Sequence, residues 1–176
     1  MMLMGSCFAE NIGLKMKQAR LNVVVNPFGI LFNPESIAIA LEQAVAGTAV
    51  GDSEVFQHNG LWAGFGFHGS FSSPDKAEAL RKMNDGVSRA HSQIGGLTRL
   101  ILTFGTAFVY RNNTDGRVVA NCHKLPAANF TREMLTIEQI TTRYSAFIER
   151  LTAQNPNLQI VFTVSPVRHL RDGAHQ

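Results

Sequence analysis

Two potential nucleophiles stand side by side near the start of the chain, in MMLMGSCFAENIG, where Ser6 and Cys7 sit between a glycine and a helix-like run. A thiolate is the reactive form of cysteine, and the first turn of a helix is a place where the helix dipole favours an anion. Attack on an acyl carbon would also need a proton acceptor and hydrogen-bond donors for the oxygen that becomes negative. Six histidines could supply the first: His58, His68, His91, His123, His169 and His175. The bland alternatives are equally physical. A cysteine can fill a tight turn as a small apolar residue, and a serine before a helix can cap it. Ser6 is the rival nucleophile if the turn is shifted by one residue.

The whole chain limits what this chemistry can belong to. Its 176 residues suffice for one domain with a real core and are too few for two. An apolar content of 45% with 16% charged residues is that of a globular, soluble protein. The net charge of +3 comes from Lys and Arg scattered singly, with no basic cluster interleaved with aromatics, so nucleic acid is not an expected partner. Cys7 and Cys122 are the only cysteines and lack metal-type spacing, which points to reduced thiols in a cytoplasmic setting, with no metal and no cofactor. The apolar stretch 100–110 is too short to span a bilayer, so no membrane partner is expected.

These residues need elements to position them. A strand is predicted over 1–4 and a helix over 8–19. LNVVV at 21–25 reads as a strand buried on both faces. Asn33 and Pro34 form a cap and first position for a helix that stops near Gly47. The aromatic and glycine-rich run 59–71 has no helical period and reads as loop or extended chain. A helix restarts at Ser73-Pro74 and runs to about Gln93. RLILTF at 99–104 is a third buried strand, and VYRNNTDGRVVA a hairpin around an Asn/Asp/Gly turn. Thr136 and Gln139 make a capping box for a helix to about Ala153, followed by a strand over 158–164. Strands separated by helices predict an open parallel sheet with helices on both faces, and chemistry gathered at its carboxyl edge. Four strand ends meet that description: MGSCF, VNPFG, TFGTA and VSPVRH.

Five ordered motifs, GSCFAENIG, NPFGILFNPESIA, TFGTAFVYR, NCHKLP and SPVRHLRDG, resemble the GSCFA family, which is grouped with the SGNH or GDSL-type hydrolases. The resemblance covers nearly the whole chain. It implies a three-layer α/β/α, flavodoxin-like fold with strand order 2-1-3-4, incomplete at its carboxyl end. It also implies an ester or acyl group as the target, carried by a small molecule such as a saccharide. Set against the hydrolase pattern, Cys7 takes the nucleophile's place and Ser6 that of an aspartate. Gly29 in NPFG stands where an oxyanion-binding N–H is expected, with Asn26 beside it as a substrate-orienting residue or a tie for the loop. Gly105-Thr106 occupies the third block, but the asparagine expected there is absent, so backbone N–H groups near Gly105 are left as donors. His123 is assigned the proton shuttle, and His68 and His169 substrate contacts. Each of these histidines could equally hold its loop by hydrogen bonds.

Two stretches spell hydrolase motifs in the wrong context. Gly51-Asp52-Ser53 follows a helix end and reads as a loop. Asp172-Gly173-Ala174-His175 comes directly after the fourth strand, whereas the terminal Asp-x-x-His block is expected further on. A domain over 1–176 that stops there leaves an open sheet edge for a partner to cover. The rival reading from another class is a binding domain that keeps the pocket and has lost the chemistry.

Overall fold

The computed structural model describes residues 1–165, so His169, Asp172 and His175 lie outside the described residues. Its centre is a four-stranded parallel sheet made of β1 (Met2–Gly5), β2 (Val24–Val25), β5 (Arg99–Phe104) and β9 (Gln159–Val164), ordered β2-β1-β5-β9. Counting parallel strands alone, that is the expected order 2-1-3-4. The register places Gly5 beside Thr103 and Thr103 beside Thr163, so the three strands finish level with one another.

Helices cover both faces, unequally. Side chains alternate along a strand, so Met2 and Met4 face one way and Leu3 the other. Met2, Met4, Leu100 and Leu102 join the main core with residues of α2 (Pro34–Ala46), α3 (Lys76–Ile94) and α4 (Ile137–Gln154). Leu3 packs with Ala9 and Val23, against half-buried Ile12, Met16 and Ile101, beneath α1 (Cys7–Gln18) alone. Leu100 and Leu102 are fully buried, and truncating either to alanine would cost ~2–5 kcal/mol. At the far edge of the sheet β9 is thinly covered, with Val161, Phe162 and Val164 exposed.

The helix starts follow from their capping residues. Asn33 Oδ1 accepts the Ser36 N–H at 2.8 Å with Pro34 at the first position, and Thr136 and Gln139 exchange both bonds of the capping box. The third helix starts later than expected. Asp75, rather than Ser73, caps α3 by accepting the Glu78 N–H, while Ser73 exchanges backbone hydrogen bonds with Trp62. Helix α4 is fixed to α2 by Arg143, which grips both oxygens of Glu42, and by the Tyr144 hydroxyl donating to the Pro34 carbonyl at 2.8 Å.

Other expectations are corrected. LNVVV is a shorter strand at the sheet edge: only Val24 and Val25 pair, each half-buried, Val24 against the main core and Val25 on the α1 side, and Leu21 and Asn22 are exposed. The run 59–71 is extended chain and turns, as read, and its extended part belongs to a small sheet. Its start closes a hairpin of β3 (Val55–His58) and β4 (Leu61–Gly64) across Asn59 and Gly60, both with positive φ, and it ends in a 3-10 turn, Gly69–Phe71. A third small sheet holds β6 (Phe108–Asn112) between β7 (Val118–Val119) and β8 (Phe130–Met134), the last without a counterpart in the sequence reading. Gly51-Asp52-Ser53 lies in an exposed segment with a 3-10 turn, as its context required. No helix among the described residues is long and apolar enough to cross a membrane.

Candidate functional site

The carboxyl ends of β1, β2 and β5 meet around Gly5 and Ser6. Gly5 adopts φ +139°, and a Cβ there would overlap the Thr103 carbonyl, so this position admits glycine only. That sharp exit ends β1 and starts α1 two residues later. Ser6 becomes the helix N-cap and Cys7 its first residue, one position earlier than the sequence pattern suggests. The Ser6 N–H donates to the Thr103 carbonyl at 3.2 Å, and the Gly5 carbonyl accepts from Leu31 at 3.0 Å. Both neighbouring loops are therefore stitched to this turn.

Ser6 and Cys7 end in opposite environments. Cys7 is exposed. Ser6 is 3% exposed, and its Oγ is buried without a hydrogen-bond partner among the described residues. Although Ser6 holds the N-cap position, its side chain makes no capping bond. A buried hydroxyl left unpaired costs ~1–3 kcal/mol, so this oxygen, like Ser36 Oγ, is open to an arriving polar group. Beside it the N–H groups of Cys7, Phe8 and Ala9 enter no hydrogen bond among the described residues, because the first helical donor is Glu10, to the Ser6 carbonyl.

The residues expected to hold an oxyanion are close by but already engaged. Gly29, at φ +80°, donates its N–H to the Asn26 carbonyl at 2.8 Å, closing the NPFG turn. A Cβ on Gly105 would touch Ser6 Cβ at 3.3 Å, which sets the β5 loop directly against the serine. Yet Gly105 and Thr106 both donate to the Phe32 carbonyl, at 2.7 and 3.1 Å. The Thr106 hydroxyl accepts from the Phe108 N–H at 3.1 Å. Asn26 is spent as well. Its Oδ1 accepts the Gly5 N–H at 2.9 Å and its Nδ2 donates to Glu10 at 2.8 Å, so it ties β1, α1 and the NPFG turn together.

His68 and His123 are both tied into loops. His68 caps the 3-10 turn, with Nδ1 accepting the Ser70 N–H at 3.3 Å, which puts the proton of the neutral ring on Nε2. Its N–H donates to the Phe28 carbonyl, so it packs against the NPFG turn. His123, at φ +48°, lies edge-on to Phe56 and directs Nε2 at the Gly64 carbonyl, 2.9 Å away. A carbonyl only accepts, so Nε2 carries the proton and Nδ1 keeps the lone pair. Burial holds this ring below the ordinary histidine range, with the Gly64 hydrogen bond opposing the shift. No hydrogen bond joins Cys7 to any histidine among the described residues, and His169 lies outside them. Cys122, next to His123, is half-buried, and burial pushes its thiol up. Among the described residues no three His, Cys, Asp or Glu side chains converge as ligands for a metal.

Sequence reasoning passed over two contributors. Glu10, one helical turn beyond Cys7, holds Asn26, and a carboxylate three residues after a helix-starting cysteine was its readable signal. The Phe32 carbonyl, which occupies two of the expected donors, leaves no trace in the sequence because only the tertiary fold aims it. No curated protein and no solved structure matches the chain. The family model that does match, GSCFA, covers residues 1–176, and the chain belongs to the GSCFA family.

Proposed function

We propose that this GSCFA domain is an acyl hydrolase or acyltransferase related to the SGNH hydrolases, with Cys7 as nucleophile and an acylated small molecule, a saccharide ester among them, as substrate. The observation that carries the reading is the contrast within one turn. An exposed thiol heads α1 at the carboxyl end of β1, while the buried Ser6 hydroxyl and three helix N–H groups beside it lack partners among the described residues. The thiolate adds to the acyl carbon, the carbonyl oxygen takes the negative charge, and collapse expels the alkoxide and leaves a thioester on Cys7. Water, or another hydroxyl, then takes the acyl group and returns the thiol. The oxyanion is held by N–H groups of the first turn of α1 rather than by Gly29, Gly105 or Thr106. Two unpaired cysteines support a reducing, cytoplasmic setting.

The test is turnover of p-nitrophenyl acetate with intact-mass detection of an acetyl group on the chain. The expected result is slow release with Cys7 acetylated, abolished in Cys7→Ala. Activity kept in Cys7→Ala but lost in Ser6→Ala would move the nucleophile to the serine. One observation favours a second reading, a binding domain without catalysis: no described histidine reaches Cys7, and general acid–base help is worth roughly 10²–10⁴ in rate. Absence of any acetyl adduct, together with binding of an acylated saccharide, would select that reading.

A further inference from the structure

Helix α3 presents Lys82, Asp85, Ser88 and Arg89 to the 3-10 turn that carries Ser70 and Phe71, and these six residues line a groove of about 470 Å³. Its charges do not cancel. Arg81 grips both oxygens of Glu78, at 2.8 and 2.9 Å, and takes Asp85 at 2.7 Å, so one cation is shared between two carboxylates, and Arg81, Lys82 and Arg89 together exceed Glu78 and Asp85 by one positive charge. Lys82 and Arg89 are left without an ion pair among the described residues. Lys82 Nζ leans across the groove only as far as the Ser72 carbonyl, at 3.5 Å, and Arg89 Nε turns back to the Asp85 carbonyl of its own helix, at 3.3 Å. Phe71 is held between the NPFG turn and α3: a Cβ on Gly29 or on Gly86 would lie 3.3 or 3.2 Å from its ring. Ser70 is fixed by its bonds to His68.

A net positive mouth with two cations on one helix face, two serines and a fixed aromatic ring form a recognisable combination. Lys and Arg recognise compact oxyanions through charge-assisted hydrogen bonds, and a flat apolar body gains by lying on an aromatic face. We infer that this groove binds a small ligand carrying a carboxylate or phosphate on a flat apolar body, with the anion between Lys82 and Arg89 and the body against Phe71. This site is separate from the acyl chemistry proposed for Cys7 and does not depend on it.

The experiment titrates phenyl phosphate, benzoate and uncharged benzyl alcohol into the ¹⁵N-labelled full chain at low salt. Shifts from the two anions should concentrate at Ser70, Phe71 and α3 between Lys82 and Arg89, weaken with added salt, and be absent for benzyl alcohol. Tighter binding of phenyl phosphate would identify a phosphoryl ligand, and tighter binding of benzoate a carboxylate. In Lys82→Gln/Arg89→Gln the affinity should fall about tenfold or more. Arg89→Gln alone, at an exposed position, carries the test if the double variant folds poorly. Shifts spread over Lys and Arg elsewhere, or unchanged affinity in the variants, would overturn the site. The titration reads no turnover, so an inert Cys7 leaves it standing.

Discussion

The turn after β1 and the loops after β2 and β5 share one edge of one sheet, yet they have opposite hydrogen-bond economies. In the NPFG turn and around Gly105 every donor the hydrolase resemblance nominates is consumed internally, by Asn26 or by Phe32. In the Ser6–Cys7 turn a hydroxyl and three N–H groups stay open among the described residues while the thiol is exposed. Closed donors make a frame and open ones make a site, because a donor already paired must first lose its partner to serve a ligand. The contrast gives the two loops a stabilising part and supports placing the proposed chemistry at the first turn.

The largest effect expected from breaking this contrast lies in the frame. Gly5→Ala would force a side chain into the Thr103 carbonyl at φ +139°, and Gly29→Ala into His68 at φ +80°. Each should cost more than about 3 kcal/mol, read as a lowered urea midpoint or as loss of soluble protein. Wild-type stability in either variant would mean that the edge is looser than the hydrogen bonds imply.

At the open turn the order of effects reverses. Cys7→Ala removes an exposed side chain and should change stability by no more than ~0.5 kcal/mol while abolishing acetyl capture. Replacing an N-cap serine by alanine ordinarily costs ~1 kcal/mol, but Ser6 makes no capping bond. Ser6→Ala should therefore be neutral or stabilising by up to about 1 kcal/mol, since it removes an unpaired buried hydroxyl. A clear loss of stability would show that the hydroxyl has a partner after all.

The two thiols sharpen the comparison further. Cys7 is exposed, whereas burial pushes the Cys122 thiol up and reduces its thiolate fraction. Iodoacetamide at neutral pH should alkylate Cys7 well ahead of Cys122, as peptide mass mapping over time would read. Equal labelling would contradict the burial that separates them.

What the sequence made legible divides along the same line. Parallel strand direction, the capping residues Asn33 and Thr136, and the hairpin around 113–116 all rest on local pattern, which a sequence displays, whereas the order 2-1-3-4 came with the family resemblance. The β3–β4 hairpin was readable too, since Asn59-Gly60 is a strong turn signal, but the aromatic and glycine-rich run after it has no clear period. FTREM, which forms β8, lies open to solvent on most positions and lacks the alternation of a half-buried strand. LNVVV misleads in the opposite sense, because a β-branched run resembles a long central strand even where only two half-buried residues pair at the sheet edge. At the site, the glycine, serine and cysteine were legible by type and place. That the Phe32 carbonyl would close the Gly105 and Thr106 donors was not, because the pairing joins residues more than seventy positions apart.

The smallest expected effect concerns His123, whose ring belongs to the frame rather than to the open turn. Burial among Phe56 and Phe65 disfavours its charged form, so its folded-state pKa lies below the unfolded value. The unfolded chain then binds the proton more readily. The stabilising contribution of the neutral ring is complete above the unfolded histidine pKa and is lost as pH falls through the folded one. A plot of unfolding free energy against pH should slope downward from about pH 7 to pH 5, with part of that slope owed to this residue. In His123→Asn the titrating group is gone while a residue tolerant of φ +48° remains, so the slope should shallow although overall stability falls through loss of the Gly64 bond. A proton shuttle for Cys7 would give a different signature: acetyl capture would fall in His123→Asn, and its pH profile would lose a limb. An unchanged capture profile beside a shallower stability curve would fix His123 as a residue that holds the NCHK loop against the β4 end.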